Sequence, residues 1–430
     1  MKRNNNIQLI SFIALLFITF YVNDYFPQQF LTNPSHLNHL YKEITINERE
    51  MGIIHIYSEY PDYHVVADDD EGIACVDDVS RAAVFYAKYY KLTGDSSSLH
   101  KVKTLTEFLL YMQSDSGWFN NFILKDYSIN KTHKNSVAEP NWWTWRALWA
   151  LSENYLLINE TDAQLSERVL NAIEKTIIAC KNEFSLSKPI VHAEGFKRPS
   201  WLPFQSASDQ ASVLVLGLIN YYKISKDQSA VLLIEKMCDG ILLMQEGNEN
   251  IFPFGAFLSW ENIWHAYGNS QSYALLKAYQ LLNNTRYKTA SLLEINNFFS
   301  YLIEQQFLNE IIFSKFYTIT LPNEIKTFPQ IAYGIRPMVF ALLSAYELEN
   351  DKKYFDKALN IASWFFGSNY PKIQMYDTST GRCFDGITGI DEINMNSGAE
   401  STIEALLSLI EIEKHTGGSE SLKELIKSME

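Results

Sequence analysis

Cysteine is scarce in this chain. Cys75, Cys180, Cys238 and Cys383 are the four among 430 residues, and they are widely scattered. No CxxC and no other metal-ligand spacing occurs, so the sequence offers no cysteine-based metal site. One or two disulfides outside the cytosol and free buried thiols both fit. A Gly-rich phosphate loop, a dinucleotide fingerprint, GxSxG and HExxH are also missing, and no cofactor or metal is expected. Positive charge is in deficit: 36 basic residues face 50 acidic ones, for a net charge of −14. No Lys/Arg run follows the N-terminus, so nucleic acid is not an expected partner.

What the chain does have is apolar and aromatic mass. It is 47% hydrophobic and 14% aromatic, with nine Trp and 25 Tyr, ample for a large core. The aromatic surplus is expected to line a groove, because ring faces suit sugars and other flat ligands. Length alone would allow two or three domains.

Met1-Lys2-Arg3 precede an apolar run from Ile7 to Val22 that is broken by Gln8, Ser11 and Thr19. This reads as a secretory signal, short for a full span. The expectation is export to a periplasmic or extracellular location, with 1–23 either cleaved or kept as a membrane tether through 7–22. A lead-in follows over 24–67, with a helix near 36–50 and an extended piece at 53–57. The remaining 68–430 are expected to form one domain.

That domain reads as six helical pairs. The pairs are 77–93 with 98–113, 141–157 with 162–182, 207–224 with 227–245, 265–282 with 286–307, 330–349 with 351–366, and 397–415 with 419–429. Apolar residues at i, i+3, i+4 and i+7 support each helix. Lys277 is an exception on an otherwise small and apolar face. Turns within a pair are short; loops between pairs, such as 114–140, 246–264 and 367–396, are long, which marks functional segments. Twelve antiparallel helices in sequential pairs close into an all-α, (α/α)6 toroid. The first helix of each pair, as in SVLVLGLI (212–219), suits the inner ring. Alternation of direction then brings every long loop and every inner-helix start to one end.

Six clusters would meet at that end. They hold Asp77 and Asp78; Glu139, Trp142, Trp143 and Arg146; Asp209; Trp260, Glu261, Trp264 and His265; Arg336; and Asp385 with Glu400. Taken singly, each reads as a helix cap or a packed polar residue. Taken together they give opposed carboxylates in an aromatic groove, which is what glycosidic cleavage needs: one carboxylic acid protonates the leaving oxygen, and one carboxylate activates water or attacks the sugar. Burial among rings could keep one carboxyl protonated. The acidic run Asp68-Asp69-Asp70-Glu71 matches no EF-hand spacing and reads as a solvated loop.

VDDVSRAA (76–83), WRALWAL (145–151), GAFLSWENIWHAYGNSQ (255–271) and YDTSTGRCFDGI…NMNSGAEST (376–402) resemble segments of a poorly characterised group within the six-hairpin glycosidase superfamily, found alone or beside glycosyltransferases. The resemblance covers about 70–415. It implies the toroid, and a catalytic acid and base drawn from Asp or Glu at inner-helix starts and loops. The early Asp-rich motif and late Asn-Glu pair of toroid endoglucanases are not reproduced; Asp77/Asp78 and Glu400 hold only loosely similar places.

The expected function is an exported, inverting hydrolase of an oligo- or polysaccharide. Asp77 or Asp78 is the expected base and Glu400 or Glu261 the acid. Trp142, Trp143, Trp260 and Trp264 are expected platforms, with Asp209, Arg146 and Arg336 binding and orienting substrate. A polysaccharide lyase on the same fold is the alternative, with His265, Tyr267 or Tyr333 abstracting the proton. A non-catalytic glycan-binding protein is a further one. Terpenoid cyclisation, suggested only by the acidic run, is disfavoured by the export signal.

Overall fold

A computed structural model describes residues 30–184 and 188–429. The segment read as a signal or anchor, 1–23, lies outside the described residues. Among the described residues no helix is long and apolar enough to cross a membrane.

Six inner helices form the wall of the barrel: Val76–Thr93, Trp142–Thr161, Ser208–Ser225, Gln271–Leu282, Ala332–Glu349 and Ala399–Glu413. Each packs on the next, and the sixth returns to the first, so the ring is closed. The outer partners are Ser96–Met112, Ala163–Glu183, Gln228–Leu243, the broken run Thr285–Glu304, Lys352–Ala362 and Gly418–Met429. The architecture is the (α/α)6 toroid. Inner helices are buried on nearly all faces, as in the sixth, where every residue from Ser401 to Glu413 is buried. That is why they read as apolar all round.

The short turns have a local cause. The inner helix ends on a left-handed residue, Gly94, Lys226, Asn283 or Asn350 at four of the turns. The outer helix then starts on a side-chain cap: Asp95, Asp162, Asp227, Asn284 and Asp351 each accept a backbone N–H of the first turn. Both devices satisfy backbone groups that a helix end leaves unpaired.

Toward this short-turn end the inner helices bring Lys88, Glu153, Asn220, Lys277, Glu347 and Glu411 together. Lys88 pairs with Glu411 at 3.0 Å, Lys277 with Glu347 at 3.5 Å, and Asn220 donates to Glu153 at 2.6 Å. Lys277, the exception on its helix face, is there to meet a charge from another helix. Phe340 separates this layer from the mouth, with Arg336 at 5.1 Å and Lys88 at 5.8 Å from its ring centroid.

Three expectations need correction. The lead-in helix is only Ser35–Leu40, and the chain then forms a β-hairpin, Tyr41–Ile46 with Arg49–Ile54. The fourth inner helix begins at Gln271, not 265: Ile263–His265 is a strand paired with Glu310–Phe316. Pairing to a distant strand overrides the local helical spacing there. The long loops likewise carry hairpins, at Ile190–Pro199, Gln245–Phe257 and Glu310–Lys326.

The fourth outer helix breaks at a π-helical turn, Glu294–Phe298. Glu294 is buried there, accepting from Phe257 N–H at 2.9 Å and from Ser272 Oγ at 2.6 Å. Burial pushes its carboxyl up to about 7, against the opposing pull of those two bonds. A folded-state pKa above the unfolded value near 4.5 contributes stability present below pH 4.5 and lost as pH rises to about 7. The loss amounts to roughly 3 kcal/mol. Glu294→Gln keeps the bond from Phe257 N–H on its oxygen and reverses the other, its amide N–H donating to Ser272 Oγ, and is expected to abolish this decline. Urea unfolding at pH 4.5 and pH 8 checks it: parallel declines in variant and wild type would sink the idea.

Candidate active site

Asp77 and Asp78 open the first inner helix, but neither caps it; the sulfur of Cys75 accepts Asp78 N–H instead. Both carboxyls are spoken for by arginine. Arg81 lies three residues after Asp78, on the same helix face, and reaches its Oδ1 at 2.6 Å. Arg81 also reaches Glu400 at 2.9 Å and Glu404 at 3.2 Å on the sixth inner helix. Arg146, from the second inner helix, meets Asp77 at 2.5 Å and donates to Tyr333 Oη at 2.7 Å. Arg336 meets Glu404 at 2.5 Å. The Tyr333 ring sits amid all three guanidiniums, which lie 5.0, 5.1 and 5.2 Å from its centroid.

This cluster floors a cavity of about 490 Å³ at the long-loop end. Tyr57, Asn121, Asn141, Trp142, Trp143 and Tyr267 complete its polar and aromatic walls. A smaller cavity of about 190 Å³ adjoins it, shares Ile56, Tyr57, Ile331 and Glu400, and is closed by Asp385 and Ser401. A larger cavity, about 990 Å³, lies elsewhere, between Leu31, Phe366 and Lys427. Among the described residues its lining holds no Asp, Glu, His, Cys or Tyr; the carboxyl groups line the smaller pair.

The carboxyls differ in state. Asp78 is buried, and burial pushes its pKa up while Arg81 pulls it down. Burial opposes the Arg81 charge, but Glu400, Asp78 and Glu404 overcome it and hold the guanidinium protonated. Arg146 is likewise raised: Asp77 and Tyr333 outweigh burial. Asp385 is pushed up by burial, with Glu400 adding to the push; the bonds from Ser401 Oγ at 2.6 Å and Gly398 N–H at 2.7 Å oppose it. Glu400 is the carboxylate of this group most open to solvent, with 43% of its side chain exposed. Gly398 is needed beside Asp385, since a Cβ there would meet the Ile56 carbonyl at 2.8 Å.

The sequence expectations divide accordingly. Asp77, Asp78, Glu400, Trp142, Trp143 and Arg146 come together around the mouth cavity of about 490 Å³, the larger of the adjoining pair. Trp143 is nonetheless buried, its indole N–H given to the Phe119 carbonyl at 2.7 Å, so Trp142 is the half-open ring. Arg336 stands behind Tyr333. Asp209 and His265 form a buried pair, Nε2 to Oδ2 at 2.9 Å, and His265 stacks on Tyr267 with centroids 3.8 Å apart. They reach the cavity only through that ring. Trp260 and Glu261 lie off the cavity, near Phe204 and Ser206, so Glu261 does not oppose Asp77 or Asp78 across it. Trp264 is 4% exposed and packs edge-on to Phe298; the strand turns it into the core, and it is no platform.

Arg81 and Glu404 were missing from the expected set. Their signal is spacing: Arg81 at i+3 from Asp78, and Glu404 at i+4 from Glu400, place each pair on one helix face. The acidic run at 68–71 is a turn, with Glu71 accepting from Tyr57 Oη and Lys125 reaching Asp69 at 2.6 Å. All four cysteines are free and buried.

Fold and site together define an (α/α)6 toroid with a carboxylate-rich mouth. A sugar epimerase from a ruminal bacterium superposes with a TM-score of 0.62 at 14% identity, over 90% of this chain and 97% of that one. Cellobiose 2-epimerase from Bacillus thermoamylovorans gives 0.60 at 13%, over 87% and 95%. A family 76 glycoside hydrolase from a bovine Bacteroides thetaiotaomicron strain gives 0.55 at 11%, over 90% and 79%. Identity at this level carries the fold and not the activity. No protein-family model matches the chain, and no curated protein matches it by sequence.

Proposed function

We propose that this protein is a carbohydrate-active enzyme that hydrolyses glycosidic bonds in the paired cavities at the toroid mouth. Asp385 is the general acid, Glu400 the general base, and the half-open ring of Trp142 the sugar platform. The observation that supports it is the pairing of unlike carboxyls in one small cavity. Asp385 is pushed up by burial, while Glu400 is exposed and ion-paired with Arg81. A carboxyl raised by burial beside a solvent-open carboxylate offers one candidate for each of the acid and base roles. Toroid neighbours that act on sugars fit this reading. New reducing ends from at least one glycan in a panel, with the first-formed anomer inverted by NMR, are the expected result. A panel that yields none removes the hydrolase reading.

A second reading rests on the Asp209–His265 pair behind Tyr267. A histidine oriented by a carboxylate can carry a proton to or from carbon, as a lyase or an epimerase requires. It would be favoured by deuterium uptake at a sugar carbon, or by unsaturated-uronate absorbance, without hydrolysis.

A further inference from the structure

Resting on the hydrolase reading, the geometry points to a narrower substrate class: we infer that the sugar occupying the paired cavities carries no carboxylate. A bound uronate needs a cation with a free face. The larger cavity is lined by two cations, Arg81 and Arg146, and by no lysine or histidine among the described residues. Arg81 is divided among Asp78, Glu400 and Glu404, and it is 2% exposed. Arg146 is held by Asp77 and Tyr333 and lies against the Trp142 ring at 4.9 Å. Arg336, the next cation inward, is committed to Glu404, which is fully buried. The lining therefore sets three carboxyl groups, Asp77, Asp78 and Glu400, against two guanidiniums that are already paired. The smaller cavity, where Asp385 meets Glu400, is lined by no cation among the described residues. A sugar carboxylate there would lie beside Glu400 with nothing to offset the repulsion, and would compete with Glu400 for Arg81. Hydroxyls suit these cavities, because the carboxylates of Asp77 and Glu400 on their walls keep acceptor lone pairs for a sugar O–H.

The test uses matched pairs. Galacturonan and glucuronan are each compared with their carboxyl-reduced forms, beside glucan, mannan and xylan, with the full chain. The expected result is a rate at least tenfold higher on the reduced member of each pair that is cleaved, with the gap narrowing as salt is raised. Faster cleavage of an acidic member overturns the inference and leaves the hydrolase reading standing. If nothing is cleaved, the hydrolase reading falls, and calorimetric binding of the same pairs decides the charge inference. Tighter binding of the reduced member sustains it; tighter binding of the acidic one, or binding of neither, overturns it. Glu404→Gln, which frees Arg336 and loosens Arg81, is expected to shift preference toward the acidic member by at least tenfold. Should that variant fail to fold, Asp78→Asn frees Arg81 from its nearest partner, and an unmoved preference there counts against the inference.

Discussion

Arg81→Met is expected to lower stability by about 3–5 kcal/mol, the cost of breaking a buried ion pair from one side. The guanidinium is 2% exposed and bridges three carboxylates from two helices that adjoin across the ring closure. Its removal leaves Asp78 buried with only the Cys75 thiol as a donor, at 3.1 Å. Glu404, fully buried, keeps Arg336. Charges stranded in low dielectric are costly, whereas the intact pair adds little beyond an apolar substitute. With ~2.1 cal/mol/K of unfolding entropy per residue, Tm should fall by roughly 4–6 °C. Lys125→Met, which removes an exposed pair with Asp69, is expected to leave Tm unchanged and serves as the control. Equal Tm values for the two variants would show that stranding the buried carboxylates does not carry the cost assigned to it. The double variant Arg81→Met/Asp78→Asn should recover part of the loss, since it withdraws the stranded charge.

The second large effect concerns the reaction. Glu400→Gln and Asp385→Asn are each expected to cut turnover by about 10²–10⁴-fold, the usual worth of a positioned acid or base. Glu400 is at the surface end of the cluster, so its loss should leave Tm nearly untouched. The pH profile separates the roles. A general acid must hold its proton, so activity should fall as pH rises through the Asp385 pKa. Burial places that limb above the ordinary carboxylate range. The alkaline limb should disappear in Asp385→Asn and survive in Glu400→Gln. Retained turnover in both variants would remove these two residues from the chemistry and turn attention to His265 and Asp209.

Much of the fold was legible because its signals are local. An inner helix buried on all faces, a left-handed stop and an Asp or Asn cap recur within twenty-odd residues of one another. Any reader of periodicity meets them again in most of the repeats. The mouth residues Asp77, Asp78, Arg146 and Glu400 were legible for the same reason: alternating direction sends all inner-helix starts to one end. The errors fell where a distant partner decides. His265 looks like the start of a helix, yet residues 263–265 pair with Glu310–Ile312 and become a strand. That pairing alternates the side chains, burying Trp264. Glu261 sits three residues before Trp264 but takes a left-handed backbone at φ 50° in the tight turn that leads into this strand, and so lies off the cavity.

The sequence by itself determined six hairpins, their closed and open ends, and an acidic, aromatic mouth, since helix periodicity, caps and chain direction act within a single repeat. Tertiary structure alone decided which carboxyls stay free. Arg81 meets Glu404 across 323 residues of chain, and Arg146 meets Tyr333 across 187. Ring closure makes those pairings, and through them leaves Glu400 half open, Asp385 half-buried beside it and Arg81, Arg146 and Arg336 already matched.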